Sequence, residues 1–177
     1  MKPWPIILIT LLTMMVAGAA HAQATVTRSP ATAPTLGVTI RGTTPTTFSI
    51  STTGAVTRTS GNAIRLTGGS VTTPTLSVNC GLLNLSGLCA LRYVRVTITP
   101  VGSGSATITR FRIGTLHGAT YRSGTAPPDG ATLTFDINPL GLLSTATFQL
   151  GMDVTLAANA PSGTYGFDYV VTVQLVQ

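Results

Sequence analysis

Few side chains in this sequence could do chemistry. Cys80 and Cys89 are its only thiols, and beyond residue 22 the other titratable candidates are His117 and four carboxylates, Asp129, Asp136, Asp153 and Asp168. A Ser–His–Asp relay is arithmetically available, but no Gly-x-Ser-x-Gly elbow in a strand–turn–helix setting supports it, and Gly102-Ser103-Gly104 reads as a turn. His117, in Leu116-His117-Gly118-Ala119, reads as a surface residue in a turn. Zinc needs about three or four nitrogen or sulfur ligands, which this inventory does not supply. Calcium held by Asp129, Asp136 or Asp153 with loop carbonyls stays open, without the spacing of an EF-hand. Glycoside hydrolysis needs two facing carboxyl groups. Asp136 and Asp153 could meet on neighbouring strands, yet each alternates with Thr as an outward residue, so solvated surface is the better reading. Gly68-Gly69 and Gly102-x-Gly104 lack the Lys and following helix of a phosphate loop. We therefore expect no catalytic residue, no metal and no cofactor; a hydrolase using His117 is the weakest of the readings.

Two other groups of residues suggest structure or binding. Cys80 and Cys89 are expected to form one disulfide, which for a loop of about ten residues contributes on the order of 2–3 kcal/mol. The enclosed Gly81–Leu88 segment holds four leucines that either tuck under as a lid on the core, the favoured reading, or form an exposed contact patch. Arg110, Arg112, Tyr121 and Arg122 surround the 114–130 loop, the longest turn-rich stretch, and are the candidate contacts for an acidic polysaccharide or other anionic polymer.

Location bears on all of these. Lys2, the apolar run Ile6–Val16 and the small-residue close Ala20-His21-Ala22 are laid out as a cleavable secretory signal over residues 1–22. The run is too short for a helix to span a bilayer of about 30 Å, so a retained anchor is disfavoured and no transmembrane segment is expected in the mature chain. The product, starting near Gln23, is placed in the periplasm or outside the cell, where disulfides persist. Nine Arg minus four Asp leaves it at +5, but the Arg residues are scattered. They read as solubilising surface positions, and nucleic acid is not an expected partner.

The elements that must position these residues are strands. Thr makes up about one residue in five beyond the signal, and apolar residues alternate with polar ones segment after segment. Leu36, Val38 and Ile40 are expected on one face, as are Phe48 and Ile50, Ile64 and Leu66, and Leu76, Val78 and Cys80. Val94-Val96-Ile98, Phe111-Ile113, Leu133-Phe135-Ile137, Phe148 to Leu156 and Tyr165 to Leu175 continue the pattern, with Gly, Pro and Asn turns between. Burial is expected at Phe48, Ile50, Leu76, Val78, Val96, Phe111, Phe135, Phe148, Leu150, Val154, Tyr165, Phe167, Tyr169, Val171 and Val173. An outer-membrane barrel also alternates, but this chain lacks aromatic girdles and ends in Gln177. The expected architecture is all-β, an antiparallel β-sandwich occupying 35–177 as one domain, preceded by a flexible segment over 23–34.

Ser49-Ile50-Ser51-Thr52-Thr53-Gly54, Ser60-Gly61-Asn62-Ala63 and Thr67-Gly68-Gly69-Ser70 stand near the start of that domain. Phe148-Gln149-Leu150-Gly151, Val154-Thr155-Leu156 and Ser162-Gly163-Thr164-Tyr165 stand near its end. Together these resemble the bacterial "domain of unknown function 4402" family, over most of residues 35–176. The closing Gly-Thr-Tyr and its strand are also similar to spore-coat-U and chaperone–usher pilin domains. The resemblance implies an immunoglobulin-like or pilin-like sandwich and a structural, adhesive or fimbria-like surface role with no established activity. Its implied partners are further copies of itself or other surface proteins. Two departures stand out: the cysteines are only nine apart, and residues 23–34 offer just Ala24 and Val26 before Pro30 as a donor strand.

Overall fold

The computed structural model describes residues 24–80, 88–102, 104–141 and 143–177. The expected signal over 1–22 and the packing of the leucines in 81–88 lie outside the residues, or side chains, so described. The elements run β1 (Thr25–Ser29), β2 (Thr35–Ile40), β3 (Thr46–Ile50), β4 (Val56–Ser60), β5 (Ile64–Arg65), β6 (Thr75–Asn79), α1 (Leu88–Leu91) and β7 (Tyr93–Val101). They continue with β8 (Ala106–Ile113), β9 (Leu133–Ile137), β10 (Thr145–Leu156), β11 (Gly163–Gly166) and β12 (Asp168–Val176). Every pairing between these strands is antiparallel, and the molecule is the expected all-β sandwich.

β10 is the longest strand and organises the larger sheet. Its first half pairs with β6, from Thr145 opposite Asn79 to Gln149 opposite Thr75. Its second half lies between β3 and β8. β1 and β4 extend this sheet, while β12-β7-β9 and β11-β2-β5 form two three-stranded sheets. Phe148, Leu150, Met152, Val154 and Leu156 alternate along β10 and are all buried, as the period of two requires. Edge-to-face contacts join the two larger layers: Phe135 of β9 meets Phe148 of β10 at 5.7 Å, and Phe111 of β8 meets Tyr169 of β12 at 5.9 Å. Each such pair contributes about 0.5–1.5 kcal/mol beyond its buried area.

Four features depart from the sequence reading. The segment expected to be loose contains β1, which is hydrogen-bonded along β6 from Thr25 opposite Asn79 to Ser29 opposite Thr75. Ala24 is buried and Val26 packs on the core, enough apolar surface to seat a short edge strand. Tyr165, Val171 and Val173 are half-buried rather than core, whereas the other twelve expected core residues are buried. The final run is also not one strand: it breaks at Phe167, so that β11 pairs with β2 and β12 pairs with β7.

The fourth departure is on β2. Leu36 is fully buried, but Val38 and Ile40 face solvent, with Thr39 buried between them. Gly37 sits in the left-handed region at φ 74°, where a Cβ would lie 2.4 Å from Thr67 Oγ1. This local turn, fastened by the Val38 N–H donating to Thr67 Oγ1 at 2.9 Å, reverses the parity of the strand after Leu36. Ile64 and Leu66, opposite that reversed stretch, are exposed as well.

Cys80, just past the end of β6, and Cys89, in α1, form the expected disulfide with their Cα atoms 6.1 Å apart. Both residues are buried. Replacing both with Ser is expected to lower stability by about 2–3 kcal/mol, read as a smaller urea midpoint.

Candidate functional site

The outer face of β8 carries Arg110 and Arg112, and the strand register sets them against Asp153 and Gly151 of β10. Arg112 lies across the sheet. Its guanidinium donates to Asp153 Oδ1 at 2.6 Å and to Ser49 Oγ of β3 at 2.7 Å, and its Nε donates to Asp129 Oδ2 at 3.3 Å. Gly151 makes this path available: a Cβ there would stand 2.8 Å from Arg112 Cγ and 2.9 Å from both the Ile50 carbonyl oxygen and the Thr52 nitrogen. Arg110 approaches the second oxygen of Asp153 at 3.8 Å. The Asp153 side chain keeps only 14% of its surface exposed.

A second cluster lies on the β12-β7-β9 sheet. Arg95 of β7 grips Asp136 of β9 with two parallel bonds, Nε to Oδ1 at 2.8 Å and a terminal nitrogen to Oδ2 at 3.0 Å. Arg122 adds a longer bond to Asp136 Oδ2 at 3.4 Å, donates to the backbone oxygen of Gln177 at 3.1 Å, and stacks 3.9 Å over the Tyr93 ring. The bond from Arg95 first, helped by the charge of Arg122, holds the Asp136 carboxyl below its ordinary range. Beside this cluster runs an open groove of about 650 Å³, bounded by Arg95, Arg122, Ser123, Thr125, Pro127 and Pro128.

Arg28 makes the third tie, joining β1 to the start of β12. It donates to Asp168 Oδ1 at 2.7 Å and to the Ala31 oxygen at 2.6 Å, and its guanidinium lies 5.1 Å over the Tyr169 ring. The bond from Arg28 holds the Asp168 carboxyl below its ordinary range. Burial, partly offset by Arg28, pushes the Tyr169 phenol up to about 12.

All four carboxylates are therefore ion-paired to arginine. This corrects two expectations: Asp136 and Asp153 are not freely solvated surface residues, and seven of the nine arginines tie strands or loops together rather than merely solubilise, five of them through carboxylates. The four candidate contacts also do not converge. Arg110 and Arg112 belong to the β10 sheet, Arg122 to the β7 sheet, and Tyr121 turns inward. Its ring packs edge-on against Phe135 at 5.7 Å and its hydroxyl is buried without a partner, so it does not present that hydroxyl to a ligand.

The 114–130 loop pairs with both sheets, Gly130 with Phe111 and Tyr121 with Ile137. His117 is exposed, its backbone pairs with Thr147, and it shares no hydrogen bond with any carboxylate. Among the described residues no three His, Cys, Asp or Glu side chains gather as a metal site, and no helix is long and apolar enough to cross a membrane. Sequence reasoning missed Arg95, Asp136 and Asp153 as partners. The available signal was the match between Arg110-x-Arg112 and Gly151-x-Asp153, two outward faces able to complement each other once paired.

Gly151→Ala is expected to cost about 1–3 kcal/mol, because Cβ meets backbone atoms on one side and Arg112 on the other. Arg112→Ala on top of it should restore only part of the loss, as measured by urea unfolding. The depressed carboxyls of Asp136 and Asp168 set a pH dependence. An unfolded Asp, near pKa ~3.9, takes up its proton before the folded one does, so the ion pairs stabilise fully above about pH 5. That stabilisation is lost as pH falls through the folded values, and Asp136→Asn should show a shallower acid slope in a series of melts.

No family model, no characterised protein and no solved structure matches this chain.

Proposed function

We propose that this protein is a secreted, non-enzymatic structural or adhesive component of the bacterial surface, a fimbria-like subunit being its specific form. The observation that carries the reading is the fate of the acids. Each is committed to an arginine, and four of the ties cross between strands: Arg28 to Asp168, Arg95 to Asp136, and both Arg110 and Arg112 to Asp153. A carboxylate so held is a poor general base, because its charge is already satisfied by the guanidinium it accepts from, and for Asp136 and Asp168 the arginine also holds the pKa below the ordinary range. The same bonds stiffen a sandwich, which suits a building block. The signal-like residues 1–22 and the Cys80–Cys89 disulfide favour an oxidising compartment, and the resemblance to secreted sandwich families favours a surface role.

A second reading rests on the groove beside Arg122. Its guanidinium side chain is 43% exposed, fixed over Tyr93 and flanked by Ser123 and Thr125, an arrangement suited to an acidic sugar. Immunogold labelling and fractionation of the native cells distinguish the two. Label on the surface or on appendages supports the first reading; cytoplasmic retention, or monomer confined to the periplasm, overturns it. Salt-sensitive retention on immobilised polyuronate, lost in Arg122→Ala, would instead favour the glycan module.

A further inference from the structure

The parity reversal at Gly37 creates a face that the sandwich itself does not cover. Val38, Ile40, Ile64 and Leu66 are 46%, 41%, 52% and 58% exposed. Ile40 is directly opposite Ile64 in the β2–β5 ladder, and Leu66 donates its N–H to the Val38 oxygen at 2.8 Å. Four aliphatic side chains thus form a two-by-two block on the outside of the small sheet, where outward positions elsewhere are filled by residues such as Thr47, Thr97, Thr134 and Thr155. Next to it, between β4 and β5, a groove of about 470 Å³ is floored by the buried Phe48 and walled by Val56, Ile64, Arg58 and Arg65. Scattered single apolar residues are ordinary at a surface, whereas a contiguous block rimmed by polar residues points to an interaction site.

The charge around the block identifies what fits it. Arg41 follows Ile40 and is exposed, and Arg58, beside the groove, is anchored to the Ala63 oxygen; Arg65, opposite the buried Thr39, is on the other face of the small sheet, held by the Leu36 and Gly69 oxygens. No Asp or Glu occurs before Asp129, and every Asp is paired with Arg28, Arg95, Arg110, Arg112 or Arg122, none of which lies on β2 to β5. This corner is therefore apolar at its centre and positive at its rim, with no acid to balance it. A second copy placed face to face would set arginine against arginine.

We propose that the block docks on an anionic lipid surface, with the four aliphatic side chains entering the boundary between headgroups and acyl chains and Arg41 and Arg58 meeting the phosphates. This reading stands apart from the proposed surface role and survives its failure, since it concerns the isolated processed chain.

The test is co-sedimentation of the processed protein with vesicles of phosphatidylcholine containing phosphatidylglycerol, against phosphatidylcholine alone. Binding should require phosphatidylglycerol, weaken as salt rises, and fall by at least about 10-fold in Ile64→Asp/Leu66→Asp, since a charge opposes both burial and approach. Ile64→Thr/Leu66→Thr, which keeps β-propensity, serves if the aspartates prevent folding, and should also weaken binding. Leu143→Ser, which removes an exposed leucine far along the chain, should bind as the parent does. Equal binding by parent and block variants, or indifference to phosphatidylglycerol, overturns the proposal. So does a dimer in sedimentation velocity that the block variants abolish, because the face would then be an interface between copies.

Discussion

The seam between the β10 sheet and the β7 sheet is the contact on which the rest of this structure depends. Five alternating residues of β10, from Phe148 to Leu156, bury their side chains on one face. Phe135 and Tyr169 reach across from the opposing layer to meet Phe148 and Phe111 edge-on. The hydrophobic effect supplies the drive and the aromatic geometry selects one relative placement of the layers. Once that placement exists, the outer faces inherit their registers, and every polar pairing on them follows.

The ionic ties are consequences of that register. Arg112 can lie over β10 because the strand opposite it presents Gly151, and it finds Asp153 two residues on, where outward positions recur. Asp136 and Arg95 face each other because β7 and β9 align Val96 with Phe135 on the buried side. Ion pairs at a surface contribute little when exposed, but Asp136 and Asp153 are largely covered and each meets two arginines, so they are screened less by solvent. The functional reading follows from this economy of charge. All four acids are neutralised in place, and Arg41, Arg58, Arg65 and Arg92 are left without an acid partner.

Much of this was legible from local pattern. The alternation along residues 148–156 and 94–98 named the inward residues, because side chains on a strand change face at every step whatever the strand pairs with. The same rule failed after Leu36. Gly37 adopts a backbone conformation with positive φ that a β-branched residue would resist, and one such residue exchanges inside for outside for all that follows in the strand. β1 escaped notice because Thr25–Ser29 carries little apolar surface of its own and owes its form to the edge of β6. The break at Phe167 was hidden by an uninterrupted alternation, since a strand that changes sheets need not change its pattern. Closeness in sequence groups Arg110, Arg112, Tyr121 and Arg122, yet Arg110 and Arg112 bind Asp153 of β10 while Arg122 binds Asp136 of β9 and Tyr121 packs inward on Phe135.

Composition and period two, both local properties, were sufficient to specify an all-β chain, most of its core and its single disulfide, for which only two thiols existed. Which arginine meets which carboxylate, and which aliphatic residues are left facing water, was decided by tertiary structure alone. Those outcomes depend on register between strands distant in sequence and on the handedness of the backbone at Gly37, and neither is encoded in the polarity of neighbouring residues.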